Sequence, residues 1–352
     1  MSKMLDEIRQ QPTAIERTLL EELPNVEELK RQFAAKRPRF VVLAARGTSD
    51  NAAQFARYLI EIGTGIPVSL AAPSIYTLYG ARLDLRDALV VAVSQSGEST
   101  DINIVLENAK AAGAQTLAIT NEPESSMAKL AGNMILVRAG RELSVAATKT
   151  YTGQLMAFYL LAYALGANLT PDHLRAIPMS AASALGLYDQ VREISSRYRF
   201  MEHGVVMGRG INYANVFEFA LKLMETCYVV TERFSIADFH HGPIAMVERD
   251  FPVFLFAPPG VSSASVAGML NSLRALNAET LVITDDGNAD LREAPERKLV
   301  LSDVVRDPQL PEDLFTPIPY IIPAQMFAAC LAEHKRLDPD APRTLSKVTK
   351  TI

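Results

Sequence analysis

The stretch RFVVLAARGTSDNAAQFARYLIE at residues 39–61 decides the fold. It runs an apolar strand, Phe40–Ala44, into a turn of small residues, Gly47-Thr48-Ser49, and leaves through an amphipathic helix over 51–62. The same pattern returns as HGVVMGRGINYANVFEFALKLME at 203–225, with Gly47 falling on Gly210 at an offset of 163 residues (210 minus 47). The offset persists along the chain. LVVAVSQSG ending at Gly97 falls on PVFLFAPPG ending at Gly260, and LAITN at 117–121 answers LVITD at 281–285 with one residue slipped. Three strand ends in register predict a duplicated domain.

Working outward, strands alternate with helices: Ala88–Val93 then 101–111, and Thr116–Thr120 then a helix near 125–131. That rhythm predicts α/β architecture, a parallel sheet covered by helices on both faces. A long apolar helix over Tyr151–Leu165 closes the first copy, and the first thirty residues read as helix, with Thr13 as a cap and Ile15, Leu19, Leu20, Leu23 and Val26 at helical spacing. The expected division is a helical segment 1–34, a first domain 35–180, a second domain 195–335 and a tail 336–352. In open parallel sheets ligands bind beyond the carboxyl ends of the strands at a topological switch point, so the strand-end turns are where chemistry is expected.

Composition narrows the function. The 352 residues are 49% hydrophobic and 21% charged, with a formal net charge of −5. That is globular, and it offers no basic field for a nucleic-acid backbone. The N-terminal stretch has no apolar signal core and no later stretch is apolar enough to span a bilayer, so a soluble, cytoplasmic protein without a membrane partner is expected. Cys227 and Cys330 have no paired-ligand spacing and are expected as buried thiols, with neither disulfide nor zinc site. No GxxxxGK[ST] occurs and no GxGxxG follows the first strand, which disfavours ATP and NAD; no cofactor is expected.

Two turns of the first copy are rich in hydroxyls: Gly47-Thr48-Ser49, and Ser94-Gln95-Ser96-Gly97-Glu98-Ser99-Thr100. Each leads into a helix, whose unpaired N–H groups and partial positive charge suit a phosphate. Ser and Thr at such places ordinarily cap helices. Capping should have served both copies equally, yet the second copy has Ile211 and Asn212 for Thr48 and Ser49, and Ala257-Pro258-Pro259 for Ser94-Gln95-Ser96. The hydroxyls therefore point to an anion.

In the second copy, Lys222 and Glu225 share a helix face where the first copy has Leu59 and Ile62. A surface ion pair would be ordinary, but positions apolar in the sister copy are expected to be at least partly buried, where charges persist only when paired or useful. His240 and His241 precede Gly242-Pro243 on an irregular turn. Two adjacent histidines with no carboxylate at ligand spacing exclude a metal site, and leave proton transfer as the use of imidazole. The end of the chain, DPDAPRTLSKVTKTI, reads by composition as a solvated basic tail.

Together GTS at 47–49, SQSGES at 94–99, SVAATKTY at 144–151, ALKLMET at 220–226, HHGP at 240–243 and APRTLSK at 341–347 resemble the sugar isomerase (SIS) domain family, in particular the isomerase half of glucosamine-6-phosphate synthase. The resemblance implies two tandem flavodoxin-like domains and a homodimer with shared sites. It implies a sugar phosphate held by Thr48, Ser49, Ser94, Gln95, Ser96 and Ser99, with Val145 and Ala146 lining the sugar. Glu225 would move a proton between C1 and C2, His241 of a partner subunit would open the ring, Lys222 would act near the reacting carbons, and Lys347 would be the Schiff-base amine.

Departures are Arg46 where the synthase has cysteine, Ser99 for threonine, Ala147 for serine and Met224 for lysine. With Ser2 after Met1 and no further domain of about 200 residues, within the usual domain size, glutamine is not the expected amine source. The implied activity is isomerisation and deamination between glucosamine 6-phosphate and fructose 6-phosphate. A fructosamine-6-phosphate deglycase and a non-catalytic phosphosugar sensor are the alternatives.

Overall fold

The computed structural model describes residues 2–345 apart from 293 and 295. Its elements begin with α1 (Lys3–Arg9), α2 (Gln11–Ala35), β1 (Phe40–Ala44), α3 (Thr48–Thr64), β2 (Val68–Leu70), α4 (Ser74–Thr77) and β3 (Ala88–Ser94). They continue with α5 (Thr100–Ala111), β4 (Gln115–Thr120), α6 (Ser126–Leu130), β5 (Asn133–Leu136), α7 (Lys149–Ala164), α8 (Pro171–Leu185) and α9 (Tyr188–Ser196). The second copy supplies β6 (His203–Gly208), α10 (Tyr213–Cys227), β7 (Val230–Ser235), α11 (Ile236–Phe239) and β8 (Pro252–Phe256). It ends with α12 (Ser263–Ala275), β9 (Glu279–Asp285), α13 (Ala289–Arg292), β10 (Arg297–Leu301) and α14 (Pro317–His334).

All strand pairs are parallel, in sheets ordered β2-β1-β3-β4-β5 and β10-β9-β8-β6-β7. Read backwards, the second order is the first with β7 for β2, β6 for β1, β8 for β3, β9 for β4 and β10 for β5. Both sheets are the flavodoxin-like arrangement, in which the chain reverses its direction of travel between the first and third strands. The duplication is thus a duplication of topology.

The described residues fold as two compact units. The first holds 13–142, 149–175 and 344–345; the second holds 2–12, 143–148 and 176–343. Compactness therefore places the start of the chain and the 143–148 loop with the second copy, whereas the sequence division kept 1–34 apart and ran the first domain through 180.

In the first unit every residue of β3 is buried, and Val42, Val90, Ile102, Val105 and Leu106 join one core. A strand covered on both faces needs no polar alternation, which is why it reads as a continuous apolar run. Helix α7 is buried along its whole length and sets Tyr159 against Phe55 of α3, ring centroids 5.0 Å apart. In the second unit α14 is buried from Pro317 to Ala332, and its Phe327 meets Phe254 of β8 at 5.1 Å and Phe219 of α10 at 5.8 Å. Each such side chain contributes about 1.5–3 kcal/mol by leaving water. Among the described residues no helix is long and apolar enough to cross a membrane.

One local expectation fails. Thr13 lies inside α2 rather than at a helix start. The cap in this region is Ser2, whose Oγ accepts the Leu5 N–H at 3.4 Å; Gln10 and Gln11 read as helix interior and hid the break between α1 and α2. Cys227 and Cys330 are both buried free thiols, and desolvation pushes each up to about 12. The thiolate is the reactive form, and at pH 8 it is roughly one part in ten thousand for such a group. Iodoacetamide at pH 8 is therefore expected to leave both thiols unmodified in the native protein over an hour and to alkylate both after denaturation, as read by mass spectrometry.

Candidate active site

In the first unit β1 and β3 are neighbours, with Ala44 beside Ala92, so the two hydroxyl-rich turns emerge side by side at the switch point. The turn after β1 passes through Gly47 in the left-handed region (φ 55°) and starts α3. Ser49 is buried and its Oγ accepts from Gln154 Nε2 of α7 at 2.9 Å. With that lone pair taken, the Ser49 hydrogen is left to donate. Sequence reasoning did not find Gln154, because nothing in the local pattern of α7 announces a polar side chain aimed across 105 residues at a serine.

The second turn folds on itself. Ser94 Oγ accepts the Gly97 N–H at 3.2 Å and pairs with Ser99 Oγ at 3.1 Å, and Ser96 Oγ accepts the Glu98 N–H at 3.3 Å. Ser99 occupies the N-cap position of α5 but makes no capping hydrogen bond. The ordinary use of serine at a helix start is not the use made here. Gly97 has φ 65°, and a Cβ there would collide with Ser125, so the turn admits only glycine. The Glu98 carboxylate accepts Ser126 N–H at 2.9 Å and Ser126 O–H at 2.8 Å, and these bonds hold it below the usual carboxylate range. Gln95 and Ser96 are half-buried, and Thr120 Oγ1 donates to the Gln95 carbonyl at 3.3 Å.

The second unit shows why its own copy of this crevice needs no hydroxyls. Asn212, standing for Ser49, donates to Thr316 Oγ1 at 2.6 Å, and a Cβ on Gly260 would lie 3.1 Å from Glu312 Cβ. The segment 312–316 therefore packs against these turns of the second copy. Asp313 of that segment is buried, and desolvation raises its carboxyl above the ordinary value.

Helix α10 carries the charged set. Lys222 is fully buried, its Nζ 2.6 Å from Glu225 Oε2 and 3.4 Å from Glu218 Oε1. Glu218 is fully buried too, whereas Glu225 keeps 24% of its side-chain surface. An ammonium between two carboxylates on one helix face is tolerable only because each charge has a partner, and the one group that reaches solvent is Glu225. Sequence reasoning missed Glu218, although its signal was legible: it stands where the first copy has Phe55, as Lys222 stands for Leu59. The same comparison misjudged Ile62, the counterpart of Glu225, which is 53% exposed.

Val145 and Ala146 belong to the same unit as α10. Their loop is held from both ends of the chain. Buried Glu7 of α1 accepts the N–H of Ser144 at 3.1 Å and that of Leu143, and Val145 N–H donates to the Asp340 carbonyl at 3.2 Å. The Asp340 carboxylate accepts Lys3 and Met4 N–H groups at 2.8 Å each. His241 is exposed, its backbone N–H bonded to Asp238 O at 3.0 Å, and among the described residues its ring makes no hydrogen bond. Lys347 lies outside the described residues.

A family model for the SIS domain matches residues 35–164 and 201–328, one match per copy. The chain belongs to the SIS domain family. Glutamine–fructose-6-phosphate aminotransferase [isomerizing] of Gloeobacter violaceus is 34% identical over 360 residues, covering 98% of this chain and 58% of that one. This chain thus spans a little over half the length of that curated SIS relative. The solved C-terminal domain of glucosamine-fructose-6-phosphate aminotransferase from Francisella tularensis superposes with a TM-score of 0.86 at 26% identity, covering 97% of this chain and 98% of that one. A candidate phosphosugar isomerase from Silicibacter pomeroyi DSS-3 superposes with a TM-score of 0.82 at 32% identity, covering 97% and 100%. The SIS relatives of this chain are therefore isomerase domains and phosphosugar isomerases, and the fold is two tandem SIS domains.

Proposed function

We propose that this SIS protein is an amino-sugar-phosphate isomerase and deaminase that interconverts glucosamine 6-phosphate with fructose 6-phosphate and ammonia. The observation that carries the reading is the Lys222–Glu225 pair at 2.6 Å, with Glu225 open to solvent, on a helix whose sister in the first copy has only apolar residues at those positions. A phosphosugar held by Thr48, Ser49, Ser94, Gln95, Ser96 and Ser99 would account for a hydroxyl such as that of Ser99, which makes no capping hydrogen bond to its own helix. Val145 and Ala146 line the sugar in this reading.

The chemistry then follows from residue type. Imidazole of His241 moves the proton that opens the ring. The Glu225 carboxylate takes the hydrogen from C2 of the open aldose and returns it to C1, passing through an enolamine whose developing oxyanion the Lys222 ammonium stabilises. The resulting C2 imine adds water and expels ammonia, so glucosamine 6-phosphate and water give fructose 6-phosphate and ammonia. Lys347 serves in this proposal as the amine that forms a Schiff base with the ketose.

The purified protein is expected to release ammonia from glucosamine 6-phosphate in a coupled assay; absence of turnover in both directions overturns the reading. The exposed, unbonded ring of His241 supports its donation to a second copy of the chain. If so, mixing inactive Glu225→Gln and His241→Asn proteins under exchange restores up to about a quarter of parental activity, because half the dimers are mixed and each mixed dimer has one intact site. A mixture as inactive as its components rules out sharing.

A further inference from the structure

Arg46 directly precedes Gly47 in the turn after β1, and it is not explained by the chemistry above. Its Nε donates to Asp101 Oδ2 at 2.7 Å. Asp101 stands in the first turn of α5, two residues beyond Ser99, and is 1% exposed, whereas half of the Arg46 side-chain surface remains in solvent. The other carboxylate oxygen, Oδ1, accepts the Ile102 N–H at 2.9 Å. The Arg46 carbonyl meanwhile accepts the Ser49 N–H at 3.1 Å. One residue therefore joins the two anion-facing turns: its backbone belongs to the first, its side chain to the helix that begins at the second.

The electrostatics make the link more than mechanical. A helix N-terminus attracts anions through its free N–H groups, and Asp101 already satisfies part of that attraction from inside. A buried carboxylate this near would repel an incoming phosphate, and burial weakens the screening of that repulsion. A guanidinium bonded directly to the carboxylate cancels it. The hydroxyl-rich turns contain no lysine or arginine of their own between 47 and 49 or between 94 and 100, and Arg46 directly precedes the first of them.

We propose that Arg46 is a positioning residue of the anion site: by neutralising Asp101 and tying the Gly47 turn to α5, it lets a phosphate approach the hydroxyl-rich turns without meeting a buried negative charge. The inference rests on the phosphosugar reading and adds the residue that sets its affinity.

The test is a double-mutant cycle on the full chain, with inorganic phosphate titrated by calorimetry and KM measured for glucosamine 6-phosphate. Arg46→Ala is expected to weaken phosphate binding by roughly ten- to a hundredfold, the range for loss of a charge-assisted contact, with the loss falling on KM more than on kcat. Asp101→Asn alone is expected to bind phosphate as tightly as the parent or more tightly. Arg46→Ala combined with Asp101→Asn is expected to recover to within about threefold of the parent, because coupled neighbours depart from additivity. Recovery in the double variant is the signature that a merely structural strap does not produce, and it also shows that the loss in Arg46→Ala is not misfolding. If Arg46→Ala binds phosphate as the parent does, or the double variant stays as weak as Arg46→Ala, the proposal is wrong while the phosphosugar reading stands. A parent protein that binds neither phosphate nor glucosamine 6-phosphate removes both.

Discussion

Replacing Glu225 by glutamine is expected to lower kcat for glucosamine 6-phosphate by roughly 10²–10⁴-fold, with KM changed only a few-fold. The amide keeps the shape of the carboxylate and can still face Lys222, so what is removed is the capacity to take a proton. Lys222 keeps a partner in Glu218, at 3.4 Å, and the helix is not left with an unpaired buried ammonium. The loss should therefore appear in turnover and in exchange of the C2 hydrogen with deuterated solvent, and not in the thermal midpoint. A variant that retains kcat within tenfold and still washes deuterium into C2 would place the base elsewhere.

The second large effect separates stability from chemistry. Lys222→Leu, which installs the residue of the sister copy, is expected to destabilise the protein by about 3–5 kcal/mol, since it strands Glu218 in the interior without its counter-ion. Adding Glu218→Phe, the other sister residue, should return the thermal midpoint to the parental value or above it, because well-packed apolar groups replace a buried ion pair at little or no cost. The double variant is expected to be stable and inactive. A midpoint for Lys222→Leu equal to the parent would mean that the pair is not buried in solution as it is here.

The repeat made most of this legible in advance. Comparing the copies position by position exposed the strands buried on both faces, the asymmetric hydroxyls, and Lys222 in place of buried Leu59. It did not reveal the strands Val68–Leu70, Asn133–Leu136, Val230–Ser235 and Arg297–Leu301, which lie at the edges of the two sheets. These edge strands are very short, as Val68–Leu70 is, or partly polar, as VTERFS at 230–235 is, so neither alternation nor an apolar run marks them. The couplings that tune the site were invisible for a different reason. Arg46 and Asp101 are 55 residues apart, and Glu7 and Ser144 are 137 apart, so no local period joins either pair. Arg46 looked like a departure from a family pattern, and only its partner gives it a role.

The bonds from Lys3 and Met4 to Asp340 bear on the order of events during synthesis. They connect residues separated by 337 and 336 positions. At ribosomal rates of roughly 5–20 residues per second, the opening helix waits on the order of tens of seconds before the segment that secures it is made. The bond from Val145 N–H to the Asp340 carbonyl, like those from Lys3 and Met4 to its carboxylate, can form only after residue 340 has emerged. The nascent protein thus acquires its hydroxyl-lined half early and the last tie of the loop carrying Val145 and Ala146 late, and a ribosome-stalled chain ending near residue 330 should hold the first without the second.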